Sequence, residues 1–131
     1  MPIKELKPEW TVGIDWIKRV NDLFLTADNL ILKLNQGYDV VQDTIAILKL
    51  ILDVVGYYIA QEKTDLLKIL KNVEDGIIEK DNKKIQLSFK ARRELLNFVY
   101  SRMHDILYEN EFFIRLQRMV SKEDIKKYYT K

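Results

Sequence analysis

Apolar residues recur early in the chain at Trp16, Val20, Leu23, Ala27, Leu30 and Leu34, in steps of four, three, four, three and four. Such spacing keeps one stripe on one side of a helix. It predicts a first helix opening near Pro8, since proline fits a first helical turn. Asn35-Gln36-Gly37 ends it, with Gly37 placed as the C-terminal cap. Asp39 is the predicted N-cap of a second helix. Its main apolar face is Val41, Ile45, Leu48, Ile51, Leu52, Val55, Tyr58 and Ile59, and Ile47, Leu50, Val54 and Tyr57 carry apolar character nearly all round. One narrow line remains polar or small: Gln42, Ala46, Lys49, Asp53, Gly56, Ala60. A helix apolar on most of its circumference must be covered on most of it. Either it lies centrally within the chain or it faces another subunit.

Thr64 is the predicted cap of a third helix, whose stripe is Leu66, Ile69, Leu70, Val73 and Ile77 and whose end falls between Glu74 and Lys80 near Gly76. Asp81-Asn82-Lys83-Lys84 reads as loop. Ser88 is the predicted cap of a fourth helix, running from Phe89 to about Val120 without glycine or proline. Leu96, Val99, Met103, Ile106 and Phe113 hold its seam, widened by Tyr100, Leu107 and Ile114. At 1.5 Å per residue this helix spans roughly 48 Å, against roughly 36 Å for the first two, so it overhangs or bends. Ser121-Lys122-Glu123-Asp124 resembles a capping box, and a short helix over Lys122–Tyr129 follows it.

The expected fold is therefore all-α: one domain over residues 1–131, an antiparallel four-helix bundle with an extended arm at 1–8 and a short terminal helix or tail at 121–131. The expected core is Trp16, Val20, Leu23, Leu30, Ile45, Leu48, Ile51, Leu52, Val55, Leu66, Ile69, Leu70, Val73, Leu96, Val99, Met103, Ile106 and Phe113.

Composition narrows the chemistry more than the fold. A chain of 131 residues with 47% hydrophobic and 32% charged residues supports a single folded core. With no cysteine and one histidine, disulfides, thiolate zinc sites, thiol nucleophiles and multi-histidine metal centres are excluded. The four glycines form no phosphate-cradling loop, and no serine sits in a nucleophile elbow. The N-terminus has no apolar region of a signal peptide. The most apolar window, Thr44–Ala60, carries Lys49 and Asp53, each costing roughly 2.5–3.5 kcal/mol near a bilayer centre. It reads as a buried helix of a soluble protein, so a membrane partner is not expected.

His104 is the one group with catalytic chemistry, flanked on one helical face by Tyr100 and Tyr108. A metal site needs three or more converging ligands, and the Glu-x-x-His spacing is missing. His104 therefore reads as a histidine between two tyrosines. The carboxylate pairs Asp39/Asp43, Asp105/Glu109 and Asp15/Asp22 read as solvated faces, and Lys49/Asp53 as an i, i+4 salt bridge on the exposed line. No enzyme activity, cofactor, metal or small-molecule substrate is expected.

Charge divides the chain unevenly. Up to Asn82 there are 10 basic and 14 acidic residues; from Lys83 onward there are 12 and 6. The bland reading is a solvated surface. A sharper one is a basic stripe from Lys90 and Arg93 through Arg115, Arg118, Lys122 and Lys126, meeting a nucleic-acid backbone without reading sequence. A third is head-to-tail assembly in which an acidic face meets a basic one; the candidate self-association surfaces are the line Ala46, Lys49, Asp53, Gly56 and Ala60 of the second helix and the overhang of the fourth.

The apolar run Thr44–Ala60 and the tail Asp124-Ile125-Lys126-Lys127-Tyr128-Tyr129, in a small cysteine-free helical chain, resemble structural coat proteins of the tailed spindle-shaped viruses of hot-acid archaea. The resemblance covers the whole chain in style and length and contains no diagnostic motif. It implies a virion building block with no catalytic residue; a cytoplasmic location follows if the source is not viral. Seven asparagines and five glutamines depart from hyperthermophile usage. The leading expectation is a non-enzymatic assembly protein forming homo-oligomers, with nucleic-acid binding as the alternative.

Overall fold

In the computed structural model the described residues are 10–56 and 59–109, with Ile114 and Arg118 beyond them. They are mostly helical, with one small two-stranded sheet. In chain order they form α1 (Trp10–Asn35), α2 (Val41–Val55), α3 (Ala60–Asp75), β1 (Ile77–Lys80), β2 (Lys83–Gln86) and α4 (Phe89–Glu109).

The buried stripe of α1 is Ile17, Val20, Phe24, Ala27, Ile31 and Leu34. It shares Val20, Ala27 and Leu34 with the predicted seam but steps three, four, three, four, three. Trp16, Leu23 and Leu30 are thereby corrected from the core to its half-buried margin. Both registers satisfy a heptad spacing, and the burial of the Phe24 ring selects between them. The helix ends as predicted: Gly37 takes φ 97°, the Tyr38 N–H donates to the Lys33 carbonyl at 3.0 Å, and the Gly37 N–H donates to Leu34. These two bonds form a Schellman cap, and only glycine enters that left-handed turn without a Cβ penalty.

α2 is the central element, packing on α1, α3 and α4. Within the chain these three helices cover most of its apolar surface, and Leu50 remains 39% exposed. Val41, Ile45, Leu48, Ile51, Leu52 and Val55 are buried, and so is Thr44, whose hydroxyl donates to the Val40 carbonyl at 2.7 Å. The helix is shorter than predicted. Asp39 accepts only a long bond, 3.4 Å, from the Val41 N–H, and the residue at the cap is Val40.

Thr64 is not a cap. α3 begins at Ala60, behind Ile59, whose carbonyl accepts from the Glu62 and Lys63 N–H groups at 2.9 Å each. Val55 and Ile59 are both buried on either side of the turn. The position of the turn follows from that burial, which outweighs the roughly 1 kcal/mol a capping threonine offers. α3 ends at Gly76 in the left-handed conformation, φ 72°, its N–H donating to Asn72 and Val73.

The fold is mostly helical as expected, and a small hairpin replaces the loop predicted over 81–84 and takes Ile77 out of the third helix. β1 pairs antiparallel with β2 in the register Ile77–Gln86, Ile78–Ile85, Glu79–Lys84 and Lys80–Lys83. Asp81 and Asn82 form the two-residue turn with φ 53° and 64°. Left-handed values at both positions match the twist of a hairpin, and Asp and Asn tolerate them best after glycine. The Leu87 N–H donates to the Gly76 carbonyl at 2.8 Å and closes the base.

Ser88 caps α4 as predicted, its Oγ accepting from the Ala91 N–H at 3.1 Å. Leu96, Val99, Met103 and Leu107 face the core, whereas Ile106 and Ile69 lie at its margin. α4 also packs on all three other helices, while α1 and α3 do not meet. The arm, residue Phe113, the overhang of the fourth helix and the terminal helix lie outside the described residues.

Candidate interaction surfaces

The line chosen for self-association is largely turned toward α3. Lys49 Nζ donates to Glu74 Oε1 at 3.1 Å, and Asp53 lies 3.9 Å from Lys63 Nζ. The predicted Lys49–Asp53 bridge is therefore not formed, because α3 brings an opposite charge to each. Gly56 is buried under the Lys63 side chain: a Cβ there would come within 3.0 Å of Nζ and 2.8 Å of the Leu52 carbonyl. Ala60 opens α3, and Ala46 is exposed.

α1 and α4 are joined by a polar row. Asn35 and Asn97 exchange side-chain hydrogen bonds of 3.2 and 3.0 Å, Tyr100 donates to Asp28, and Tyr108 donates to Asn21 at 3.1 Å. The α1 residues are seven apart and hold one line of that helix. Within this row the exposed His104 ring stacks on Tyr108, with centroids 4.4 Å apart and planes 29° apart. Phe24 meets it edge-on at 5.5 Å, and Tyr100 lies at 6.1 Å. Among the described residues no three side chains are placed to hold a metal ion. His104 lies between Tyr100 and Tyr108, the spacing expected from the sequence, and stacks on Tyr108.

Beside the polar row run two leucines that sequence reasoning passed over. Leu25 and Leu32 are 61% and 56% exposed. They are seven apart, each four residues after one member of the Asn21/Asp28/Asn35 line and three before the next. The available signal was a pair of leucines at heptad spacing lying off the seam. Asp22 and Lys33 flank them and are exposed.

The basic residues fall into two groups. On the helices several described cations are ion-paired, Lys49 with Glu74, Lys63 with Asp53, Lys71 with Asp75, and Arg102 with Glu62 through two bonds of 2.9 Å, whereas among the described residues Arg19, Lys33 and Lys68 are not. Hydrogen bonding to Glu62 and its charge raise the Arg102 guanidinium above its ordinary range. Lys90 is exposed and Arg93 half-buried in the first turns of α4, and neither has a carboxylate within ion-pair distance among the described residues. Arg118 is exposed, and Arg115, Lys122 and Lys126 lie outside the described residues. No described helix is long and apolar enough to cross a membrane.

No protein-family model, no curated protein and no solved structure matches this chain.

Proposed function

We propose that the protein is a non-enzymatic assembly unit, an antiparallel four-helix bundle that self-associates through the outer face of α1. Two rows of pairs support the antiparallel reading. Partners descend along α1 as they rise along α4, from Asn35–Asn97 to Asn21–Tyr108. Lys49–Glu74 and Asp53–Lys63 run the same way between α2 and α3.

The observation that carries self-association is the pair Leu25 and Leu32, exposed on one line of the longest described helix. An antiparallel second copy setting Leu25 against the partner's Leu32 also brings Asp22 beside the partner's Lys33. The apolar anchors and the charges then satisfy one two-fold contact. α1 has 26 residues and is about 39 Å long. A strip about 10 Å wide along it buries roughly 400 Å² per partner, half of a standard interface. The association expected from this face alone is weak and concentration-dependent. The likeness in style to coat proteins of spindle-shaped archaeal viruses would place such assembly in a virion, with no cofactor or substrate involved.

Size-exclusion chromatography with light scattering, over a range of concentrations and at two salt levels, tests the proposal. A reversible, salt-resistant rise in mass is expected, and Leu25→Glu with Leu32→Glu abolishes it at unchanged helicity. A strict monomer at the highest concentration refutes it.

A further inference from the structure

The hairpin has features that the rest of the fold does not account for. Its four β2 residues and three of the four in β1 are exposed. Outside its own pairing it packs, among the described elements, only on α3, the helix that precedes it. An isolated two-stranded hairpin is marginal in water, yet this one carries a further penalty. Lys80 stands directly opposite Lys83, and like charges directly opposite one another are destabilising. Lys84 follows at once, set opposite Glu79.

This segment is rich in cations without an ion-pair partner, a property that Arg19, Lys33 and Lys68 on the other helices share singly among the described residues. Residues 77–93 hold six basic and two acidic side chains. Among the described residues, none of Lys80, Lys83, Lys84, Lys90 and Arg93 has a carboxylate within ion-pair distance, whereas the cations of α2 and α3 that lie between those helices do. A second observation lies six residues beyond β2. In the first turn of α4, Arg92 keeps its Nε out of water with no acceptor. Buried polar groups ordinarily have one. Lys80, Lys83 and Lys84, interspersed with Glu79 and Asp81, and then Lys90, Arg92 and Arg93 lie in one short stretch of chain.

We infer that the β1–β2 hairpin and the start of α4 form a binding site for the phosphate backbone of duplex nucleic acid. A two-stranded ribbon is narrow enough to enter a groove of the duplex. Lys80, Lys83 and Lys84 would meet phosphates from the ribbon, and Lys90 and Arg93 from α4. The strands offer no set of side chains for reading base edges, so the contact is electrostatic and sequence-independent. This site is distinct from the α1 face, and neither proposal needs the other.

The test is fluorescence anisotropy of a labelled random-sequence DNA duplex of about two helical turns, titrated with the full chain. Five phosphate contacts give a log–log salt slope of about −4.5, or a loss of about 500-fold between 50 and 200 mM salt. Replacing Lys80, Lys83 and Lys84 together by Gln should flatten that slope to about −1.8 and weaken low-salt binding at unchanged helicity. Replacing the same three by Arg should keep binding, which a merely structural role would not require. Lys68→Gln with Lys71→Gln, on α3, should change nothing. Three results overturn the inference: no duplex binding at low salt, wild-type slope in the triple Gln variant, or equal loss in the α3 control. Retention on heparin without duplex binding overturns it as well.

Discussion

Leu48 and Leu50 lie two residues apart in a helix whose sequence is apolar nearly all round, yet the fold gives them opposite surroundings. Leu48 is fully buried where α2 meets its neighbours, and Leu50 is 39% exposed. Truncation to alanine removes three carbons from each. At about 0.8 kcal/mol per buried carbon group, the transfer loss for Leu48 is about 2.4 kcal/mol. A cavity enclosed by packed side chains adds to it, for a total of about 3–5 kcal/mol. At Leu50 part of the side chain already meets water and no closed cavity forms, so the loss is about 1 kcal/mol. For a chain of this length 1 kcal/mol corresponds to about 4 °C in Tm. Leu48→Ala should therefore melt about 12–20 °C below the wild type and Leu50→Ala about 4 °C below it. Thermal melts followed by far-UV circular dichroism at low protein concentration give both Tm shifts, and urea melts give the free energies, with m unchanged if the denatured state is unaffected. Equal losses at the two sites, or a loss at Leu48 below about 1 kcal/mol, would refute the central placement of α2.

Three further outcomes follow from local geometry. Ser88→Ala removes the acceptor of the Ala91 N–H and should cost about 1 kcal/mol in denaturant melts. Gly76→Ala forces a Cβ into a turn at φ 72° and should cost about 1–2 kcal/mol, although no atom crowds the site. The Asn35–Asn97 exchange joins α1 to α4 at an exposed position. A double-mutant cycle with alanine should give a coupling no larger than about 1 kcal/mol, and a coupling of several kcal/mol would mean the pair is far better shielded than its exposure shows.

The alternation of apolar and polar positions was enough to determine that four helical segments exist and roughly where three of them begin or end. Gly37, Gly76 and Ser88 act locally, through a left-handed turn or one side-chain bond, and local chemistry is legible in sequence. The stripes of α2 and α4 were legible for the same reason: a helix folds its own periodicity onto a face.

Tertiary structure decided what periodicity leaves degenerate. Two heptad registers of α1 share Val20, Ala27 and Leu34, and only packing of Phe24 chooses one; Leu25 and Leu32 lie off both. Lys49 and Asp53 look like partners along one helix until α3 supplies Glu74 and Lys63, because an ion pair forms with whichever opposite charge arrives in space. The turn before α3 is placed by the burial of Val55 and Ile59, against the local preference of Thr64. The hairpin depends on pairing between separated residues, so Asp81-Asn82 reads as mere loop until Ile78 meets Ile85. That pairing also sets Lys80 against Lys83, a conflict between neighbours in space that no linear reading of the chain contains.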